Sequence, residues 1–191
     1  MTRWWWVRHG PTHQKTFTGW RDVPADLSDV AQLGRLNLFL PDTALVVASD
    51  LKRATDTADA IVGDRARIPN TDRIREFNFG DWDGQHFSEV AETHPDLSRE
   101  YWERPGDVSP PGGESWNMAA GRVNQFVDHV NRSHSGRDII AVAHFGVILT
   151  QLEKAIDGGA YAALSHKIDN LSVTCLEFDG TWHAKLINHC P

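Results

Sequence analysis

The sequence predicts a single α/β domain of three layers, in which a mostly parallel central sheet carries helices on both faces. Short apolar runs of strand length alternate with segments of helical periodicity, an order typical of parallel sheets with crossover helices. The 191 residues, of which 40% are hydrophobic and 24% charged, match one globular domain in size and composition. We therefore expect residues 1–191 to form one domain.

Five apolar runs predict the strands. They are Trp4–Val7, Leu45–Ala48, Ile139–Ala143, Val173–Phe178 and Trp182–Ile187. The last two flank Asp179-Gly180, a dipeptide that favours a tight hairpin turn, so they are expected to pair with each other at the end of the chain.

Three segments have helical periodicity. They are Leu51–Val62, Ser115–His134 and Val147–Ile156. Ser49-Asp50 is the expected N-cap of the first, and Gly158-Gly159 is the expected end of the third. Arg104–Gly113 is rich in proline and glycine and predicts a loop rather than a domain boundary.

Charge and hydropathy exclude several classes of function. A formal net charge of −7 argues against a nucleic-acid surface, which needs a basic stripe, but not against a small phosphorylated ligand. No apolar run approaches the length of a membrane span or signal peptide. Cys175 and Cys190 are expected to be free thiols, so the sequence predicts a soluble cytoplasmic protein. It does not decide whether the protein is a homodimer.

Polar residues follow each of the first three predicted strands. Arg8 and His9 end the first strand, Arg53 lies one helical turn beyond the second, and His144 follows the third. Ligands of open α/β sheets bind beyond the carboxyl ends of the strands, so these side chains are expected to converge. Glu76, from the segment between the second and third strands, supplies a carboxylate.

This set of residues suits phosphoryl transfer. Two guanidiniums offer forked donors to phosphate oxygens, and their charge lowers the pKa of a nearby imidazole, keeping it neutral and nucleophilic. Gly10 leaves room beside His9 for close backbone approach. Glu76 can donate a proton to the leaving oxygen, and His144 can hold the phosphate. No metal or other cofactor is required, because the arginines supply the positive charge.

Each residue alone has an ordinary explanation. Arg53 fits a solvated helical side chain, His144 a satisfied core histidine, and Glu76 a surface ion pair with Arg73 or Arg75. It is their joint occurrence, each at the position where the fold predicts a site, that favours function.

Linked sequence blocks cover nearly the whole chain. They are Val7–Thr12, Gly19–Pro24, Ser49–Ala58, Arg75–Gly84, Pro111–Ser115 and Val142–His144. In this order they resemble the histidine phosphatase (phosphoglycerate mutase-like) superfamily, and the Arg75–Gly84 block is similar to the branch of small phosphatases that includes α-ribazole phosphatases. The resemblance implies one domain with a mostly parallel sheet flanked by helices.

The resemblance also implies roles for individual residues. His9 would become a phosphohistidine, Glu76 would be the acid and base, and the phosphate would be held by Arg8, Arg53 and His144. Four further residues are the candidates for substrate contact: Thr12, Gly19, Trp20 and Phe145.

The sequence departs from the family pattern in three places. Pro11 stands where the family usually has Glu, and Phe145-Gly146 stands in place of Gly-Gly after His144. The family's phosphate-binding Asn has no clear counterpart. Four residues could replace it: Gln14, Lys15, Thr16 and Thr18.

The function predicted from these residues is metal-independent hydrolysis of a small phosphomonoester through His9, with Glu76 as proton donor. The alternatives are a phosphoglycerate mutase-type phosphotransferase and an inactive binding member of the fold. A metallohydrolase fits less well, because Gly10 and Pro11 prevent the helix that would align His9 with His13. Hydrolysis is favoured over mutase activity because Trp82–Pro111 offers little chain to cover the site.

Overall fold

A five-stranded sheet with the order β2-β3-β1-β4-β5 forms the centre of the molecule. The computed structural model describes residues 1–191, and its strands are β1 (Thr2–Arg8), β2 (Leu45–Ala48), β3 (Asp138–Ala143), β4 (Val173–Phe178) and β5 (Trp182–His189). The first three strands pair in parallel, whereas β4 and β5 join the sheet antiparallel. All five predicted strands are confirmed.

Helices cover both faces of this sheet. They are α1 (Val30–Phe39), α2 (Lys52–Ile61), α3 (Phe87–Thr93), α4 (Pro95–Glu103), α5 (Trp116–Ser133), α6 (Phe145–Leu152) and α7 (Gly159–Leu164). Buried residues of α1 and α2 pack on one face, and those of α5, α6 and α7 pack on the other. The predicted α/β class, with a single three-layer domain, is therefore confirmed. No helix is long and apolar enough to cross a membrane.

The tryptophans of β1 show how the strand divides its side chains between the two layers. Trp4 and Trp6 are fully buried on the larger core, with ring centroids 5.1 Å apart and nearly parallel planes. The Trp4 indole donates to the side chain of Asn131 on α5, whereas Trp5 packs edge-on against Phe39 of α1. This alternation is the two-residue period of a strand buried on both sides.

The expected cap of α2 is wrong. The helix begins at Lys52, and Leu51, at the capping position, makes no side-chain bond to it. The backbone N–H of Lys52 instead donates to Asp22 at 2.7 Å, while Asp50 pairs with Arg75. A cap supplied by a distant loop cannot be found from local spacing, and it fixes that loop against the helix that carries Arg53.

Four helices were not predicted. The helix α1 has Gly34 in its middle, and α3 and α4 are short, with few buried residues. The third predicted helix ends at Leu152 and not at Gly158-Gly159: the chain then makes a 3₁₀ turn at Glu153–Ala155, and Gly159 begins α7. Each of these segments lacks the long one-sided apolar stripe that marked the other helices.

Candidate active site

His9 lies directly after β1, with 6% of its surface exposed. Its Nδ1 atom is 2.7 Å from the carbonyl oxygen of Gly10, so Nδ1 must carry the proton, and the Nε2 lone pair is free. Burial, the charge of Arg53 and, to a smaller extent, that of Arg8 lower the pKa of His9 to about 3. The imidazole is therefore neutral near pH 7 and competent as a nucleophile.

Gly10 packs closely against a neighbouring segment of chain beside this histidine. A Cβ atom at Gly10 would come within 2.6 Å of the Leu27 side chain. The Gly10 N–H donates to the hydroxyl of Thr57 on α2, which itself donates to the Arg53 carbonyl. This close contact ties the His9 turn to the helix that carries Arg53.

Arg53 and His144 form a buried pair beneath His9. The Nε of Arg53 donates to Nδ1 of His144 at 3.2 Å, and the two histidine rings have centroids 5.1 Å apart. Since Nδ1 of His144 accepts, Nε2 carries the proton, and this buried Nε2–H has no partner. Burial first, and then the charge of Arg53, holds the pKa of His144 well below its ordinary value. His144 is thus a neutral donor available to a bound anion.

The rest of the Arg53 guanidinium is anchored on a loop. Its Nη2 donates to the Gly19 carbonyl at 2.7 Å, and its Nη1 donates to the Arg21 carbonyl at 3.1 Å. A side chain at Gly19 would clash, because its Cβ would lie 2.4 Å from the Phe77 carbonyl oxygen. Gly19 therefore positions Arg53 and does not line the cleft.

Trp20 also acts from behind the site. Its indole N–H donates to the backbone carbonyl of Glu76 at 2.8 Å, and the Arg75 guanidinium lies 5.1 Å from its ring centroid. Trp20 is not among the residues that line the cleft. Its hydrogen bond thus supports the backbone at Glu76.

Arg8 supplies the second guanidinium. Its Nη1 donates to the Ile168 carbonyl at 2.6 Å, while its buried Nε has no hydrogen-bond partner. Burial lowers the pKa of Arg8, and the opposing charge of Glu76 offsets part of this effect. Its guanidinium lies 5.5 Å from the ring centroid of Phe145. An unpaired buried N–H on a cation is a donor ready for phosphate oxygen.

Glu76 is fixed by two backbone amides. Its Oε1 accepts from the Phe77 N–H at 2.9 Å, and its Oε2 accepts from the Gly146 N–H at 3.1 Å in the first turn of α6. A Cβ at Gly146 would be 2.7 Å from Oε1 of Glu76. Glycine at the second position after His144 is therefore required, whereas the first position accommodates Phe145.

The sequence does not predict the side chains that hold the Glu76 backbone in place. Arg122 on α5 donates to the Glu76 carbonyl at 2.8 Å and makes a bidentate pair with Glu114 at 2.8 and 2.9 Å. Glu114 also accepts from the Asn78 N–H. Glu114 belongs to the Pro111–Ser115 block, but eight residues separate it from Arg122, a spacing that marks no pair on one helix face.

Comparison with known proteins identifies the family. The sequence profile of the histidine phosphatase superfamily (branch 1) matches residues 4–189. The chain belongs to this superfamily.

Two relatives of this chain differ in how much of their own length the match covers. The bifunctional protein Rv2228c of Mycobacterium tuberculosis is 32% identical over 200 residues; the match covers 95% of this chain and 52% of the relative. This chain thus spans about half the length of that protein. The adenosylcobalamin/α-ribazole phosphatase of Escherichia coli is 24% identical, covering 97% of this chain and 90% of the relative.

Solved structures share the fold over its whole length. The YhfR protein of Bacillus stearothermophilus superimposes with a TM-score of 0.90 at 27% identity, covering 100% of this chain and 98% of that one. A mycobacterial glucosyl-3-phosphoglycerate phosphatase, solved with VO₃, has a TM-score of 0.84 at 26% identity and 98% coverage of both chains.

The cleft of this histidine phosphatase has a volume of about 250 Å³. Its lining includes Arg8, His9, Thr12, Gln14, Thr16, Thr18, Arg53, Glu76, Phe87, Trp102 and Phe145. All the predicted catalytic residues except His144 line it, and His144 is fully buried next to His9. Of the four candidates to replace the family's Asn, only Lys15 lies outside the lining.

The sequence predicts little chain to cover the active site, but the structure has a partial cover. The segment Trp82–Pro111 forms the helices α3 and α4, which bring Phe87 and Trp102 to the cleft wall. Phe17 joins them, with its ring centroid 4.4 Å from that of Phe87 and 6.1 Å from that of Trp102. These aromatic residues form a wall of the cleft that the sequence does not predict, because polar residues on the outer faces of the short helices interrupt their apolar pattern.

Proposed function

We propose that this protein hydrolyses a small phosphomonoester through a phosphohistidine on His9, with Glu76 as the proton donor. The observation that carries the proposal is a set of polar groups without hydrogen-bond partners: the Nε2 lone pair of His9 and the Nε–H of Arg8, two residues that line the cleft, and the Nε2–H of the buried His144 next to His9. Arg53 adds a second guanidinium next to His144. One nucleophile with cationic and neutral donors around it suits a phosphoryl group.

In the first step, Nε2 of His9 attacks phosphorus and the bond from phosphorus to the ester oxygen breaks. The negative charge on the transferring phosphoryl oxygens is balanced by Arg8 and Arg53, and His144 donates to one of them. The Glu76 carboxyl group gives its proton to the departing oxygen, which leaves as an alcohol. Nδ1–H of His9 keeps its bond to the Gly10 carbonyl, so the ring stays in place.

In the second step, water attacks the phosphohistidine. The Glu76 carboxylate takes a proton from this water, the bond between nitrogen and phosphorus breaks, and inorganic phosphate leaves. His9 returns to its neutral form and Glu76 to its protonated form. No group of three or more His, Cys, Asp or Glu side chains in the structure could hold a metal ion. The positive charge for both steps comes from Arg8 and Arg53.

A mutase is the second candidate, because α3 and α4 supply part of the cover that it would need. Charge favours the hydrolase. Arg8 and Arg53 are the only cations that line the cleft, and both are committed to the phosphoryl group. A phosphoglycerate carries a carboxylate as well, and the cleft lining has no further cation to pair with it. The relatives include both phosphatases and phosphoglycerate mutases, so the choice rests on the charge of the cleft.

The test measures phosphate release and 3- to 2-phosphoglycerate interconversion on one preparation. We expect phosphate release from several small monoesters to exceed mutase turnover, inhibition by vanadate, and full activity in excess EDTA. His9→Ala should abolish turnover and leave the fold intact. His13→Ala is the matched control, since this exposed histidine pairs with Asp26 outside the cleft.

Three results would refute the proposal. They are unchanged activity in His9→Ala, a loss of activity in EDTA that a divalent metal restores, and mutase turnover that exceeds phosphate release. A labelled phosphoenzyme should form in the parent protein and not in His9→Ala. Its label should be lost in acid and kept in base, as expected of a phosphohistidine.

A further inference from the structure

A second, apolar pocket opens beside the phosphate cleft. It has a volume of about 30 Å³, and seven of its ten lining residues are hydrophobic. It shares Glu76, Phe79, Trp102 and Phe145 with the cleft, so the two adjoin. Because Glu76 is the proton donor of the proposed reaction, this pocket lies where the leaving alcohol would begin.

An outer groove continues the same apolar surface. It is lined by Trp102, Phe145, Tyr161, Leu164 and Ser165. Trp102 and Phe145 thus border the cleft, the inner pocket and the outer groove together. At about 30 Å³ the inner pocket has room for a very small group only, whereas the outer groove, at about 410 Å³, has room for a ring next to Trp102 and Phe145.

The charges along this path are distributed unevenly. Arg8 and Arg53 lie at the phosphate end, and neither the apolar pocket nor the outer groove is lined by Lys or Arg. The only charged residue of these two regions is Glu76, which is an acid. A second anionic group on the substrate would therefore lose hydration without gaining a partner and would face this carboxyl group.

Several large side chains at the entrance lack full burial. Phe87 is 54% exposed, Trp102 38% and Tyr161 66%. Tyr101, on α4, lines the inner pocket, and its buried hydroxyl has no hydrogen-bond partner. Clustered exposed aromatic residues next to a cleft commonly mark a ligand surface, and an orphaned buried hydroxyl is rare in a finished core.

We infer that the alcohol part of the substrate is uncharged and aromatic or apolar, and that Trp102 and Phe145 bind it next to Glu76. This inference rests on the proposed phosphatase activity and adds the class of substrate. Anionic alcohols such as phosphoglycerates are disfavoured by the same arrangement.

The experiment compares three esters by phosphate release. Benzyl phosphate and ethyl phosphate both release a primary alcohol of similar leaving ability, so the ratio of their kcat/KM values reports binding of the ring. 3-Phosphoglycerate tests an anionic alcohol. We expect benzyl phosphate to exceed ethyl phosphate by roughly 10- to 100-fold from burial of the ring, and to exceed 3-phosphoglycerate as well.

Two variants locate the effect. Trp102→Ala should reduce the ratio of benzyl to ethyl phosphate by roughly 3- to 10-fold, mainly through KM, because the aromatic contact is lost. Trp102→Phe should restore most of the ratio. Leu38→Ala is the control, since Leu38 on α1 is 88% exposed and distant from the cleft lining.

Equal rates for benzyl and ethyl phosphate, or preference for 3-phosphoglycerate, would overturn the inference. So would a ratio that Trp102→Ala leaves unchanged. If these results appear while turnover still requires His9, the substrate class is wrong and the phosphatase proposal stands. If His9→Ala remains active, the phosphatase proposal itself fails.

Discussion

Gly146→Ala should damage catalysis while leaving the fold sound. Gly146 lies in the first turn of α6, and its N–H donates to Oε2 of Glu76. An added Cβ would lie 2.7 Å from Oε1 of Glu76 and 3.0 Å from the Phe77 ring. Glu76 is 7% exposed and cannot simply rotate into solvent.

The size of the effect follows from these distances. An ordinary carbon-to-oxygen contact begins near 3.4 Å, so the Glu76 carboxyl group must move by about 0.7 Å. A displacement approaching 1 Å of a reacting group can reduce the rate by about 10²-fold. We expect kcat to fall by roughly 10- to 100-fold for phenyl phosphate and by less for 4-nitrophenyl phosphate, whose leaving group departs without a proton.

Two other glycines provide matched controls. Gly34 in α1 and Gly121 in α5 have no atom within 4 Å of a built Cβ. Gly34→Ala and Gly121→Ala should stabilise the protein by about 0.5–1 kcal/mol, measured by urea denaturation, and leave kcat unchanged. If Gly146→Ala hydrolyses phenyl phosphate at the parental rate, then the rate does not depend on the exact position of the Glu76 carboxyl group.

Three further predictions test the same site. Glu76→Gln should lower the rate by roughly 10²–10⁴ for phenyl phosphate and much less for 4-nitrophenyl phosphate; equal losses would reduce Glu76 to a positional role. The pKa of His9 is lowered from 6.5 to about 3 and that of His144 is also lowered, so the unfolded state binds more protons below pH 6.5. The unfolding free energy should therefore fall between pH 6.5 and 5, with His9 contributing about 2 kcal/mol, and His144→Gln should show a smaller fall than the parent; equal slopes would contradict this. Glu114→Gln should destabilise the fold by about 1–3 kcal/mol and lower kcat more than it changes KM, because Arg122 then holds the Glu76 loop less firmly; a change confined to KM would refute it.

The residues that the sequence located correctly are those fixed by strand ends. Arg8, His9 and His144 follow predicted parallel strands, and parallel strands bring their carboxyl ends to one edge. Arg53 required one further step, the helical turn after the second strand. Local periodicity locates the end of each strand, and the rule that ligands bind at the carboxyl ends of parallel strands predicts that these residues meet.

Other features depend on contacts between distant segments. The cap of α2 comes from Asp22, thirty residues before it, and the support of Glu76 comes from Arg122, forty-six residues after it. Gly19 and Trp20 were assigned to the substrate, yet their hydrogen bonds go to Arg53 and to the Glu76 carbonyl. A sequence motif marks both residues as part of the site, whereas only their contacts show that they hold Arg53 and the backbone at Glu76.

The aromatic wall changes the argument between hydrolase and mutase. The sequence favours hydrolysis because Trp82–Pro111 offers little chain to cover the site, but this segment forms the helices α3 and α4, which remove that reason. The same helices supply a stronger one, since they bring the aromatic residues Phe87 and Trp102 to the cleft lining and add no cation to Arg8 and Arg53. A mutase must hold its charged intermediate while it turns, and an apolar wall favours release instead. The proposed hydrolysis therefore rests on the chemistry of the cover and does not require its absence.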